Sequence, residues 1–136
     1  MPWKPGLTSH GHEIPLDIAG ELRDYPGDPR DGAALRAAMA QDGYLFVRGA
    51  LDRDAVLEAR DAVFTHLLNV GEIAPPVRDG IATGVSRRAE LEPDLTAFWR
   101  RVCETPALRR LTHSGAMIDL MEALIGEPVR PFDFLW

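Results

Sequence analysis

One cysteine, Cys103, and one lysine, Lys4, occur in the 136 residues, and each scarcity excludes something. A lone thiol cannot close an internal disulfide, so the chain stands apart from small stapled secreted domains and fits a reducing compartment. With a single lysine, the basic charge is almost all arginine, a bias that reflects GC-rich coding more than a function. The 15 basic and 21 acidic side chains leave a formal charge of -6, which argues against nucleic acid and against an anionic membrane surface as partners. No apolar run approaches the ~18 residues of a membrane span, and no apolar stretch follows a basic start as in a secretory leader. The expectation is a cytoplasmic protein. Also missing are a Gly-rich phosphate loop and a Gly-x-Ser-x-Gly elbow around Ser9, Ser86 or Ser114.

A metal site is the next thing the sequence lacks. A facial-triad iron centre needs two histidines and a carboxylate, and a His-x-Asp pair on a strand serves because residues two apart share a face. The residues two positions after His10, His12, His66 and His113 are His12, Ile14, Leu68 and Gly115, so no metal ligand is assigned. His10 and His12 read as an exposed polar pair, and His12-Glu13 lacks the second histidine of a zinc-protease helix. Cys103, among bulky apolar neighbours on a helix, reads as a packed thiol. Arg87-Arg88, Arg100-Arg101 and Arg109-Arg110 can grip an anion, but such pairs more often form solvated faces whose stems cover apolar neighbours. No catalytic residue is assigned.

What is present is the punctuation of a mostly helical domain with 46% hydrophobic residues. Residues 1–32 carry Pro2, Pro5, Pro15, Pro26 and Pro29 and read as an extended arm that Trp3, Ile14, Leu16, Ile18 and Leu22 can dock. Residues 33–136 form the domain proper. A helix is predicted over Ala33–Gln41, capped by Asp31 and stopped at Gly43, with Leu35 and Met39 as its apolar pair. Tyr44–Arg48 is β-prone and short enough for a strand. A long helix follows from the cap Asp52 to the stop Gly71. Gly71 to Arg88 is loop chemistry, long enough to be a lid or a pocket wall. Pro93 suits the first turn of a helix bearing Leu95, Phe98, Trp99 and Val102 on one face. A short helix over Ala107–Thr112 and another from the cap Ser114 to Gly126 complete the helical part, the last with Met117, Ile118, Met121, Leu124 and Ile125 inward.

The chain closes on Phe132, Phe134 and Trp136, which alternate like a buried strand beginning near Val129. Ending on a large aromatic where a neighbouring strand is due, it reads as the front part of a larger fold.

Two stretches carry a family resemblance. Gln41-Asp-Gly-Tyr-Leu-Phe-Val-Arg-Gly-Ala-Leu-Asp-Arg-Asp-Ala-Val-Leu-Glu-Ala-Arg resembles the opening of the phytanoyl-CoA dioxygenase family, where a Gly-Tyr strand, a short turn and a long helix follow one another. Leu-Ile-Gly-Glu-Pro-Val-Arg-Pro, Leu124 to Pro131, is similar to the segment that family places before its jelly roll. The resemblance covers about Ala33 to Trp136. It implies an α+β fold, namely the mainly helical N-terminal portion, with few strands, of a double-stranded β-helix (cupin-like) oxygenase. It also implies iron(II) and 2-oxoglutarate as cofactors of the complete protein, and hydroxylation of a small organic substrate. The family's His-x-Asp, distal His and 2-oxoglutarate-gripping basic residue have no counterparts here, so this chain alone is expected to bind neither cofactor and to be inactive. Phe134 and Trp136 are the positions the resemblance places nearest the cosubstrate pocket, and the Gly80–Arg88 loop is a candidate wall of the substrate entrance. The alternative is a non-catalytic helical interaction module. On the oxygenase reading, self-association of this chain through exposed strand edges is expected, whereas the module would use those edges to pair with another chain.

Overall fold

The computed structural model describes residues 8–15, 17 and 20–133. Its order is β1 (Thr8–Ser9), β2 (His12–Glu13), α1 (Gly32–Asp42), α2 (Arg53–Asn69), a 3-10 turn (Val77–Asp79), α3 (Arg88–Leu91), α4 (Leu95–Cys103), α5 (Pro106–His113) and α6 (Ala116–Ile125). With 51% helix and 5% strand, the chain is a mainly helical α+β protein with few strands.

Aspartate sets where the helices begin. The side chains of Asp31, Asp52 and Asp94 accept from the backbone N–H of Ala34, Ala55 and Ala97 at 3.0, 2.8 and 2.9 Å. Each cap satisfies an otherwise orphaned donor at the positive end of a helix, an effect of about 1 kcal/mol. Glycine sets where two of them end, because Gly43 and Gly126 take the left-handed conformation (φ 74° and 83°) and return their N–H to Met39 and Glu122. Helix α4 begins later than the sequence predicts: Asp94 takes the cap, leaving Pro93 outside the first turn. Pro106 instead starts α5, where its missing N–H costs nothing. Ser114 does not cap α6. Gly115 holds that position, and the Ser114 hydroxyl donates back to the Arg110 carbonyl.

Val70, Phe98 and Val102 form the buried cluster, with Val63 and Leu67 of α2 packed against it. Helix α5 lies antiparallel to α2, since Arg110 late in α5 pairs with Glu58 early in α2 at 2.7 Å, and Thr105 at the start of α5 meets His66 at 3.2 Å. Helix α1 buries Leu35 completely and packs against α6, where Arg36 Nη1 donates to the Ala123 carbonyl at 3.0 Å. A guanidinium there favours the negative end of α6. The arm docks through residues 23–25. Arg23 N–H donates to the Tyr44 hydroxyl at 2.8 Å, Tyr25 N–H to the Phe46 carbonyl at 2.9 Å, and Arg48 pairs with Asp24 at 2.7 Å.

Three sequence expectations are corrected. Tyr44–Arg48 and Val129 onward do not join one sheet: neither segment is strand among the described residues, where the single two-stranded sheet is the arm's hairpin β1–β2. A β-prone run becomes strand only when a partner backbone pairs with it, and Tyr44–Val47 receives a single such bond, from Tyr25. Phe132 is 75% exposed rather than buried, and Phe134 and Trp136 lie outside the described residues, as do Trp3, Leu16 and Ile18. Within the 71–88 loop a 3-10 turn, Val77–Asp79, forms unannounced, and α3 begins at the loop's last residue, Arg88. Ala74 N–H bonds to Ile81 O at 2.8 Å, Thr83 N–H to Glu72 O at 2.9 Å and Arg87 N–H to Val70 O at 2.9 Å, so the loop is pinned down rather than free to act as a lid.

Gly32 tests the α1–α6 contact. A Cβ there would stand 2.2 Å from the Ala123 carbonyl oxygen, a clash with backbone that no rotamer relieves. Alanine favours a helix over glycine by about 1 kcal/mol, yet the forced separation of α1 and α6 costs about 1–3 kcal/mol. Gly32→Ala is therefore expected to lower the urea midpoint. A midpoint that rises would show that α1 and α6 do not meet there.

Candidate functional site

An open groove of about 770 Å³ lies between the end of α1, the 45–51 connection, the start of α2 and α6. Its lining is apolar except for Arg53, and it includes Leu45, Val56, Leu120 and Leu124. It also takes Met39, Met117 and Met121, three of the four methionines in the chain. Methionine is unbranched and polarizable, so a methionine wall adapts to the shape of what fills it. Met39 and Met121 are 41% and 36% exposed, so the wall is wet. Phe46 and Val47 also border the groove. Tyr44–Val47 runs with neither turn nor bend.

A second cluster lies on the 71–88 loop. The Glu72 carboxylate accepts from the Ser86 hydroxyl at 2.5 Å and from the Arg88 guanidinium. Arg88 stands 4.5 Å from the Trp99 ring centroid and 5.5 Å from that of Phe98, and the two rings meet edge to face at 5.1 Å. Arg88 Nε is buried with no hydrogen-bond partner; its guanidinium is held by the aromatic faces on one side and the carboxylate on the other. The Ser86 hydrogen bond first, then the hydrogen bond and charge of Arg88, hold the Glu72 carboxyl below its ordinary value of 4.5 against the opposing effect of burial. The arrangement ties the loop to the core and presents no reactive group to a cavity.

The residues singled out from sequence do not converge. His10 and His12 sit in the arm's hairpin, at its turn and in β2. His66 meets Thr105, and His113 contacts Arg109, Thr112 and the Phe132 carbonyl. Among the described residues no group of three or more His, Cys, Asp or Glu side chains can hold a metal ion, and no polar or charged residue is fully buried. Five of the six paired arginines are taken by the chain's own carboxylates: Arg87 by Glu90, Arg88 by Glu72, Arg101 by Glu92, Arg109 by Glu104 and Arg110 by Glu58. The pairs are thus internal ties rather than an anion cradle. Cys103 is half-buried on α4. The Gly80–Arg88 loop does not border the groove, and no helix among the described residues is long and apolar enough to cross a membrane. The groove is what sequence reasoning missed. Its signal was the coincidence of a methionine at 39 with methionines at 117 and 121, which only a known α1–α6 contact brings together.

Compared with known proteins, the chain matches no family model, no curated protein and no solved structure.

The Glu72 cluster predicts an acid response. A carboxyl with a lower pKa in the folded than in the unfolded state stabilises the fold above the unfolded value, and that contribution fades as pH falls through the folded value. For Glu72 the fading starts as pH drops through 4.5. Glu72→Gln is expected to cost about 1–3 kcal/mol at neutral pH, the scale of a charge-assisted hydrogen bond, and to lose less on acidification than the parent. Urea unfolding near neutrality and at about pH 3.5 checks both. Equal acid sensitivity in the two proteins would remove Glu72 from the account.

Proposed function

We propose that this chain is the helical N-terminal part of an iron(II)- and 2-oxoglutarate-dependent dioxygenase of the phytanoyl-CoA dioxygenase kind, hydroxylating a small organic substrate in the cytoplasm. The observation that carries the reading is the apolar groove bordered by Leu45, Phe46 and Val47. In the resemblance this run opens a sheet, and here it borders an apolar trough of the kind that the face of a sheet would fill. The turn at Arg48–Gly49, the long helix α2 and the Gly126 stop before Glu127–Pro131 fall where the resembling segments call for them.

The described residues do not fit either cofactor. Among the described residues there is no group of metal ligands, and five of the six adjacent arginines are engaged by the chain's own carboxylates. No step of the reaction is therefore assigned to them. Their part in this reading is to wall one side of the catalytic β-helix and keep water from it, while iron(II), 2-oxoglutarate and substrate are held by that β-helix. Phe134 and Trp136 keep their place as pocket-lining candidates on the resemblance alone.

The test has two arms. Coding sequence in frame beyond Trp136 is expected to carry a His-x-Asp pair and, further on, a lone His, and the protein it specifies to turn 2-oxoglutarate into succinate with iron(II). The 136 residues alone, titrated with cobalt(II), are expected to show no stoichiometric change in visible absorbance. Tight stoichiometric cobalt binding would move the metal to His10 and His12 and end the oxygenase reading, as would a downstream sequence without the His-x-Asp pair.

A further inference from the structure

We propose that His113 is a pH-sensitive clasp: uncharged, it is held by Arg109, and protonated, it grips the Phe132 carbonyl and fastens the segment after α6 to the end of α5. Counting protons around the ring gives the switch. The Thr112 hydroxyl spends its one proton on the Leu108 carbonyl at 2.9 Å, so toward His113 Nδ1, 2.7 Å away, it can only accept. The hydrogen-bond pattern thus assigns the ring proton to Nδ1. In the neutral ring Nε2 is then a lone pair, which accepts from Arg109 Nη1 at 2.5 Å but has nothing to donate to the Phe132 carbonyl oxygen at 3.2 Å. Protonation reverses that choice. Nε2 gains an N–H, ceases to accept from Arg109 and donates to Phe132 O, the one acceptor of the two.

A second cation beside Arg109 is tolerated because that guanidinium is already met. Its Nε and Nη2 donate to the two carboxylate oxygens of Glu104, Nε at 3.2 Å, as a bidentate pair. Arg109 Nη2 also donates to the Asp133 carbonyl at 2.7 Å, so Arg109 keeps its own hold on the segment when it gives up the ring. Charges on the elements packed against α5 have partners of their own. Glu58 of α2 pairs with Arg110, and His66 of α2 meets Thr105 at the opposite end of α5 from His113. Glu122 of α6 accepts from Val129 N–H at 3.2 Å, and Arg130 and Asp133 on the segment pair at 3.8 Å. Asp119 of α6 and Glu127 just after it are acidic, and by their sign they favour the imidazolium. Only the fastened segment offers the added proton this acceptor, so acid favours the fastened form across about pH 5 to 8, where an imidazole changes charge. The inference stands apart from the oxygenase reading, because it concerns the tie of residues 132 and 133 to α5 and neither the groove nor a cofactor.

Nuclear magnetic resonance of the labelled chain tests it. At about pH 8 the His113 ring nitrogens are expected to report the Nδ1–H tautomer, and on acidification to about pH 5.5 the Phe132 carbonyl carbon is expected to shift with the same midpoint as the ring. Amide protection at Phe132 and Asp133, taken relative to the unfolded chain at each pH, is expected to rise at least about threefold over that range, the scale of a charge-assisted hydrogen bond partly offset by Arg109. His113→Phe is expected to abolish the response. Thr112→Val frees the neutral ring to carry its proton on Nε2, so the bond to Phe132 is expected at both pH values and the response flattens. If either variant fails to fold, the parent's tautomer and carbonyl shift still decide. An Nε2–H tautomer in the neutral parent overturns the proposal, as does a His113 ring that titrates with Phe132 unmoved. A Phe132 response that survives in His113→Phe overturns it too and passes the effect to His66 or the carboxylates. None of these outcomes touches the oxygenase reading, and a downstream sequence without the His-x-Asp pair removes that reading while leaving the clasp in place.

Discussion

Phe98 is the residue on which the packing of this chain turns. It is 2% exposed and lies with Val70 and Val102 in the one buried cluster that joins separate elements. Everything on the loop side hangs from it. Trp99 stacks edge-on to its ring, Arg88 and Arg101 lie over its face at 5.5 and 5.8 Å, and Arg88 carries Glu72 and with it the strap of residues 70–88. Truncating a buried aromatic costs on the order of 3–5 kcal/mol, and here the loss would also release the guanidinium that anchors the loop.

The rest of the molecule is held more by polar ties than by burial. Only Leu35, Ala59, Val70, Ile73, Phe98 and Val102 are fully buried hydrophobics among the described residues. The arginine–carboxylate pairs lie mostly near the surface, where each contributes at most about 1 kcal/mol. They fix which helix meets which, as Arg110–Glu58 does for α5 and α2, rather than supply the driving force. With so little area removed from water, the apolar residues lining the groove between α1 and α6 are only partly covered by the described residues, and the groove follows from that shortage.

Sequence disclosed the helix ends far better than the contacts. Asp31, Asp52, Gly43 and Gly126 act through chemistry that is local in the chain: a carboxylate reaching an amide three residues on, and a backbone turned left-handed without a Cβ penalty. Pro93 misled because proline at a first turn and proline just before a cap look alike until Asp94 takes the amide of Ala97. Helix α3 went unannounced because its four residues, Arg88–Leu91, have no side-chain cap. The arginine pairs were legible as charge but not as ties, since their partners lie as far off as Glu58 from Arg110. The groove needed contacts between residues some eighty positions apart, as Arg36 to Ala123 shows, and no periodicity reports those.

One disagreement is of a different kind. Tyr44–Arg48 has the composition of a strand, yet it is not strand, and the one backbone bond that reaches it among the described residues comes from Tyr25. Local preference and tertiary setting usually agree in a natural sequence, and where they part the site tends to be functional. An unmet strand preference and a methionine wall coincide here, one a feature of propensity and the other of packing. An apolar surface laid over the groove would displace water from Met39, Met117 and Met121, and the free energy of filling it would come from that exposed area.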